Sequence, residues 1–260
     1  EAIIRAEFHL DQPPVVQFYY YVSDILHGDL GISVRTREPV INLIGYRYLN
    51  TLKLTFASLL IGVVLGVGTG IISAYYKDTF FDIGAMTVSL FGLSMPAFFF
   101  GILLILLFSV QLRWLPVIGD GSWKHLLLPS LNLGLILSAS LARITRSSML
   151  EVLEQDYIRT ARAKGLSERM VIFKHALKNA LLPVITIIGL QIGGLLGGAF
   201  IIENVFAWHG IGELGVKAIQ WRDFTITQGI ILISAGTYVV LNLVVDVLYQ
   251  VIDRRVKLSN

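Results

Sequence analysis

Groups able to do chemistry are sparse in this chain, and their spacing is informative mainly for what it excludes. There is no cysteine, which removes disulfides, thiol nucleophiles and thiolate-held metals. The five histidines (His9, His27, His125, His175 and His209) are scattered, with no i, i+4 pair of the kind a helix uses to grip a metal. Gly66, Gly68 and Gly70 form GVGTG, but the Gly-Lys-Ser/Thr of a phosphate loop is missing, so no nucleotide cofactor is implied. Two carboxylates, Glu203 and Asp246, fall in or near apolar runs, where a charge is costly and calls for a named partner. Arg222 is the expected partner of Glu203, and Asn242, one turn away, that of Asp246. Glu203 is read either as part of a transport path or as a solvated group near a boundary. Asp246 is read as a helix–helix contact. Met95-Pro96 interrupts the apolar run at about 85–110, beside Phe98, Phe99 and Phe100. Proline frees a carbonyl and kinks a membrane helix, so Met95, Pro96 and Phe99 are candidates for lining a path. Packing against a neighbouring helix explains them equally well.

The elements that must position these groups are long and apolar. Hydrophobic residues make up 55% of the 260 and charged ones 15%. Soluble domains are closer to one-quarter charged, so the balance points to a membrane protein. Mean hydropathy is +0.70. Five runs reach the roughly 20 residues that a bilayer core requires: about 51–76, 85–110, 126–149, 180–206 and 224–252. They are continuous rather than alternating, which excludes a β-barrel. The predicted fold is an all-α polytopic bundle. Glycines within the runs, including Gly193-Gly194 and Gly197-Gly198, are read as sites of close helix approach.

Charge sets the orientation. The formal charge of +3 follows the membrane pattern rather than a nucleic-acid-binding face. Arg143, Arg146, Arg159, Arg162, Lys164, Arg169, Lys174 and Lys178 cluster between the third and fourth runs. Lys77 and the tail residues Arg254, Arg255 and Lys257 fall on the same side. The positive-inside rule puts that side in the cytosol, with residues 1–50 outside and 256–260 as a cytosolic tail. An external start makes a sixth span before Glu1 the expected completion of the topology.

On the outer side, Pro13-Pro14 opens VVQFYYYVSDIL, in which Val15, Phe18, Val22 and Ile25 recur at helical spacing. This is a short interfacial or lid-like helix, ending at a turn around His27-Gly28-Asp29. Trp114, Trp123, Trp208 and Trp221 all fall at the predicted outer boundary, where tryptophan anchors helices in the interface.

The densest polar feature is YIRTARAKGLSERMVIFKHALKNALLP (157–183), an island between two apolar runs. Asp156 can cap a helix starting at Tyr157, and Gly165 suits a left-handed stop. Ser167 can cap a second helix, with Glu168 in its first turn and Met170, Phe173 and Leu177 along one stripe. Ala161, Ala163 and Gly165 keep the bend narrow. The product is a cationic helix–turn–helix knob within a loop of about 150–179. Two readings stand side by side: a loop that only sets topology, or a knob that docks into a cytosolic partner. A DNA-reading helix-turn-helix fits poorly, since spans tether both ends.

The island resembles the cytoplasmic loop of ABC-importer membrane subunits, whose pattern is Glu-Ala-Ala, three residues, Gly, nine residues, Ile-x-Leu-Pro. Aligned on Gly165, this chain reads Arg159-Thr160-Ala161, Gly165, His175, Leu177 and Lys178, so Ala161, Gly165 and Leu177 match. DYIRTARAKGL is closer to the form of the dipeptide/oligopeptide/nickel permease subgroup. So are HGDLGIS (27–33), LARITRSSMLEVL (141–153), HALKNALLPVIT (175–186), GGAFIIENVFAWHGIGEL (197–214), AIQWRDF (218–224) and NLVVDVLYQVIDRR (242–255). The chain departs from the family at His209-Gly210, where Pro-Gly is usual, and at Asp253-Arg254-Arg255, where Asp-Pro-Arg is.

The resemblance implies a permease in a bacterial cytoplasmic membrane that pairs with a second, homologous permease subunit. Two cytosolic ATP-binding subunits would hydrolyse ATP and dock on Asp156, Tyr157, Arg159, Thr160, Ala161, Arg162, Ala163, Lys164 and Gly165. An external binding protein would deliver di- or oligopeptides, with glutathione, nickel or metal chelates as related cargoes. A secondary transporter would instead show internal repeats and buried ionisable pairs at mid-membrane. An intramembrane enzyme would need a nucleophile–base or metal set, which the runs lack.

Overall fold

The structure, a computed structural model, describes residues 12–119 and 121–252. Its frame is a pair of long helices, α2 (Val40–Tyr75) and α5 (Trp123–Leu153), following a short α1 (Pro14–Leu26). Lipid tails are as apolar as leucine, so helices in a membrane associate by close packing rather than by hydrophobic expulsion. The sequence supplies that packing as two small-residue stripes of four-residue spacing, Gly62–Gly66–Gly70 on α2 and Gly134–Ser138–Ala142 on α5. They interlock. A Cβ on Gly62 would meet Leu137 Cδ2 at 2.6 Å, one on Gly66 would meet Leu141 Cβ at 2.7 Å, and one on Gly134 would meet Ile61 Cγ2 at 2.7 Å. Gly70 lies as tightly against Thr145 and Ala142. Gly68, on the opposite side of α2, has nothing within 4 Å.

From α2 the chain turns into α3 (Phe80–Ser94), breaks at Met95-Pro96, and continues as α4 (Ala97–Leu104) and a π-helical stretch, Ile105–Gln111. The chain bends by 108° between the two arms. The expected kink in one span of 85–110 is therefore a full break, because Pro96 lacks an N–H and Met95 is extended (φ −89°, ψ 130°). Beyond α5 come α6 (Asp156–Ala163) and α7 (Glu168–Met170), which runs through a π-helical turn, Val171–Ala176, into α8 (Leu177–Val205). An amphipathic α9 (Ile211–Trp221) and the final α10 (Phe224–Ile252) complete the chain. Among the described residues there is no strand; Ile32 and Pro39 form one isolated bridge.

Among the described residues, four helices are long and apolar enough to cross a membrane, or five spans if the bent pair counts as one. The helix expected from residue 51 begins eleven positions earlier, at Val40. At 1.5 Å per residue its 36 residues reach about 54 Å, well beyond a hydrocarbon layer of about 30 Å. Its first turns are held by protein instead, with Val40 and Ile44 packed on Ile211, Leu214, Ile226 and Ile230. A central cluster around Leu54, Leu137, Leu141 and Ile202 joins α2, α5 and α8. A third cluster, around Met149, Ile158, Val171 and Ala176, closes the end that carries the basic island.

Candidate coupling surface and transport path

The basic island is held on one side and open on the other. Ile158 and Ala161, one helical turn apart on α6, are buried against Ala74 of α2, Met149 of α5 and Val171, Ile172 and Ala176 beyond the bend. Burying Ile158 contributes about 1.5–3 kcal/mol at this end, where the alternative environment is water. Two polar ties fix the bend. Arg162 Nη2 and Nε donate to Glu168 Oε1 and Oε2 at 2.6 and 3.2 Å, and Asn179 Nδ2 donates to Tyr157 Oη at 2.8 Å. Gly165 adopts φ +76° with open space where a Cβ would stand, the left-handed stop its position predicted. Asp156, Tyr157, Arg159, Thr160, Arg162, Ala163, Lys164 and Gly165 are exposed, whereas Ala161 is part of the anchor.

Two local expectations change. Gln155 takes the cap position and α6 begins at Asp156, with no side-chain capping bond. Of the expected stripe, Met170 and Phe173 face outward while Leu177 packs against the buried Val171, Ile172 and Ala176, which lie in a π-helical turn.

Of the path candidates, Met95 lines a cavity of about 550 Å³ between α3 and the α2–α5 pair, together with Phe100, Leu65, Thr69, Ser89 and Ser138. Pro96, Phe98 and Phe99 are exposed and do not line it.

Glu203 does not pair with Arg222 and is not solvated. It is fully buried and caps α9: Gly212 N and Glu213 N donate to its Oε2 at 2.7 and 3.1 Å, and Thr51 Oγ1 donates to its Oε1 at 2.5 Å. A carboxylate suits the positive end of a helix, and it satisfies two N–H groups that the helix start leaves unpaired. Room for it comes from glycine: a Cβ on Gly210 would collide with the carboxylate, and one on Gly212 would meet Phe200 Cα at 2.5 Å. The spacing Glu203–Gly210–Gly212 was thus a legible signal, but only to a reader who knew that α9 folds back on α8. Trp208 is likewise no interfacial anchor. It is buried, and its Nε1 donates to Asn50 O at 3.0 Å.

The same end holds a second carboxylate cap that sequence reasoning missed. Asp223 Oδ2 accepts from Ser33 Oγ at 2.6 Å and from Arg35 N at 3.0 Å, while its Oδ1 accepts from Ile226 N at 3.2 Å. Burial pushes its carboxyl up, but these bonds outweigh burial and hold it below the usual carboxylate range. HGDLGIS is thereby tied to the start of α10, with Gly31 (φ +80°) lying against Thr225 Cγ2. Arg47 Nη1 pairs with Glu213 Oε2 at 2.7 Å, and Lys217 pairs with its other oxygen. Missed too was Asp82. Buried at the start of α3, it accepts from Arg146 Nε and Nη2, both at 2.6 Å, and from Ser73 Oγ. The side chain of Asp246 and residues 253–260, including Arg254, Arg255 and Lys257, lie outside the described residues.

The described residues thus form an apolar helical bundle with one broken helix pair, buried carboxylate caps at one end and a basic knob at the other. Comparison with known proteins supplies the family. Residues 66–258 match the family described as binding-protein-dependent transport system inner membrane component, and the chain belongs to it. It is 46% identical over 255 residues to the glutathione transport system permease protein GsiC of Escherichia coli (strain K12), covering 98% of this chain and 83% of that protein. The protein of the same description from Shigella flexneri serotype 5b is 45% identical over the same coverage. In fold the chain is similar to the MetNI methionine ABC transporter in an inward-facing conformation, with a TM-score of 0.72, 18% identity, and 83% of this chain and 99% of that one covered. An amino acid ABC transporter solved with histidines gives a TM-score of 0.60 at 18% identity, covering 83% and 94%. The chain is a multi-pass permease subunit of an ABC importer in the bacterial inner membrane.

Proposed function

We propose that this subunit forms a peptide pathway together with a second, homologous permease subunit, and that α6 couples it to two cytosolic ATPase subunits. An external binding protein delivers the cargo to the α9 end. The carrying observation is the two-sided character of α6: Ile158 and Ala161 anchor it to α2, α5 and the start of α8, while its other face is exposed and cationic. A partner that binds this face differently in two states shifts the equilibrium of every helix that the anchor touches. ATP hydrolysis resides on the partner subunits. Ala163→Trp places bulk on the exposed open face, and Gly165→Trp adds bulk where a Cβ would stand in open space while also straining the bend at φ +76°. Both are expected to abolish ATP-dependent uptake while the two permeases still assemble. Uptake that continued without ATPase subunits would overturn the proposal.

Di- and oligopeptides are the proposed cargo class, and glutathione, itself a short peptide, is the member favoured by the 46% identity to a glutathione transport permease. Nickel and metal chelates are the alternatives. Isolating the intact complex, identifying the ligand of its binding protein and measuring competition between glutathione and dipeptides for uptake tests this.

A further inference from the structure

α3 buries few side chains. Its buried residues are Asp82 and Ser89, while Phe80, Phe81, Ile83 and Leu90 face outward. At its first turn it is pinned: Asp82 takes both guanidinium donors of Arg146 on α5 at 2.6 Å, the Ser73 hydroxyl of α2, and the Asp78 N–H at 3.0 Å. A bidentate Arg–carboxylate pair fixes orientation as well as distance. Lys77 and Glu154 form a second, outer ion pair beside it at 3.7 Å.

At its other end α3 stops at the 108° break, and beyond the break α4 is fixed. Asn132 Nδ2 donates to Ala97 O at 3.1 Å, and a Cβ on Gly101 would meet Asn132 Nδ2 at 2.5 Å and Phe206 at 3.0 Å. Between the pinned first turn and the break that precedes the anchored α4, the face of α3 carrying Ala85, Ser89 and Gly92 looks onto the cavity of about 550 Å³. Small residues at such spacing let helices approach closely, as α2 and α5 do. Here the approach is looser: Gly84 has nothing within 4 Å, and a Cβ on Gly92 would make only ordinary contact, with Ala139 Cβ at 3.6 Å.

We infer that α3 is a swinging wall of the transport path, with the Asp82–Arg146 pair as its fixed pivot, the Met95-Pro96 break as its flexible end, and the cavity as the room through which it moves. Asp82 and Arg146 are positioning residues for transport. They touch no cargo and set the axis about which α3 turns. The inference rests on the ATP-driven reading above, so the test separates the two.

The absence of cysteine makes the test direct. In the complete complex in proteoliposomes, uptake by the unmodified protein checks ATP coupling by itself. A Ser89→Cys/Ser138→Cys pair then reports across the cavity, and a Lys77→Cys/Glu154→Cys pair reports at the pivot, each cross-linked with a short bifunctional maleimide. Between nucleotide-free and vanadate-trapped complexes, the cavity pair is expected to change its yield about threefold or more, and the pivot pair to stay constant. Arg146→Gln is expected to lower uptake about tenfold with ATPase activity retained, and to make the pivot pair state-dependent. Arg146→Lys, which keeps the charge but not the fork, falls between. A cavity pair that ignores the nucleotide state means that α3 is static. A pivot pair that moves as much as the cavity pair means that it slides as a whole. Either result overturns the inference, even where uptake is ATP-driven.

Discussion

Replacing Gly66 by alanine is the sharpest test of how this bundle is held. The added Cβ would stand 2.7 Å from Leu141 Cβ, 2.8 Å from Ser138 O and 3.0 Å from Ser138 Cα. Carbon contacts are optimal near 3.5–4.0 Å, so the helices must part by about 0.8 Å or more. Two of the three obstacles are backbone, and no rotamer change removes them. Parting α2 from α5 also loosens the contacts at Gly62, Gly70 and Gly134, which share the same pair of stripes. Over-packing of this kind costs about 1–3 kcal/mol. Gly68→Ala is the internal control: with nothing within 4 Å it adds no clash, and it gains about 0.5–1 kcal/mol from reduced backbone freedom. Both variants add one methyl to the same helix, two residues apart, and share that gain, so their stabilities should be separated by the over-packing cost of about 1–3 kcal/mol. Unfolding in mixed micelles titrated with a denaturing detergent reads this difference as a shift in midpoint. Equal midpoints, or a lower one for Gly68→Ala, would refute the argument that interlocked small residues hold α2 to α5.

Other outcomes follow from the same geometry. Glu203→Ala leaves the Gly212 and Glu213 N–H groups without their acceptor, at about 1–3 kcal/mol, and faster hydrogen exchange at those two amides is the readout. Asp223 has its carboxyl held below the usual range, so its contribution is complete above the ordinary value of about 3.9 and is lost as pH falls through the lower folded value. Exchange at the Arg35 and Ile226 amides should therefore quicken only in strong acid, and Asp223→Asn should remove that dependence. Ile158→Ala opens a cavity beneath α6 at a cost of about 2–5 kcal/mol. Its expected signature is ATPase activity without uptake, since the knob remains but its anchor is lost.

Composition, apolar run length and the positions of Pro and Gly were enough to predict an all-α bundle, a stop at Gly165 and a discontinuity at Met95-Pro96. Each of these is local: a run must match the bilayer, a residue at φ +76° is best a glycine, and a proline cannot donate to the preceding turn. The motifs of the basic island and of the α9 region, read together, also carried the family.

What only the tertiary structure decided are contacts between residues far apart in the chain. Thr51 meets Glu203 across 152 positions, Trp208 meets Asn50 across 158, and Ser33 meets Asp223 across 190. A carboxylate or an indole in an apolar run announces that a partner is needed, not which helix end supplies it. That choice depends on α9 folding back over α8 and α2, which made Glu203 a helix cap and put an expected interfacial tryptophan into the core. The pairing of Asp82 with Arg146 is of the same kind. Local patterns carry the spans and the knob; the pins that fix how those spans can move exist only once the helices are assembled.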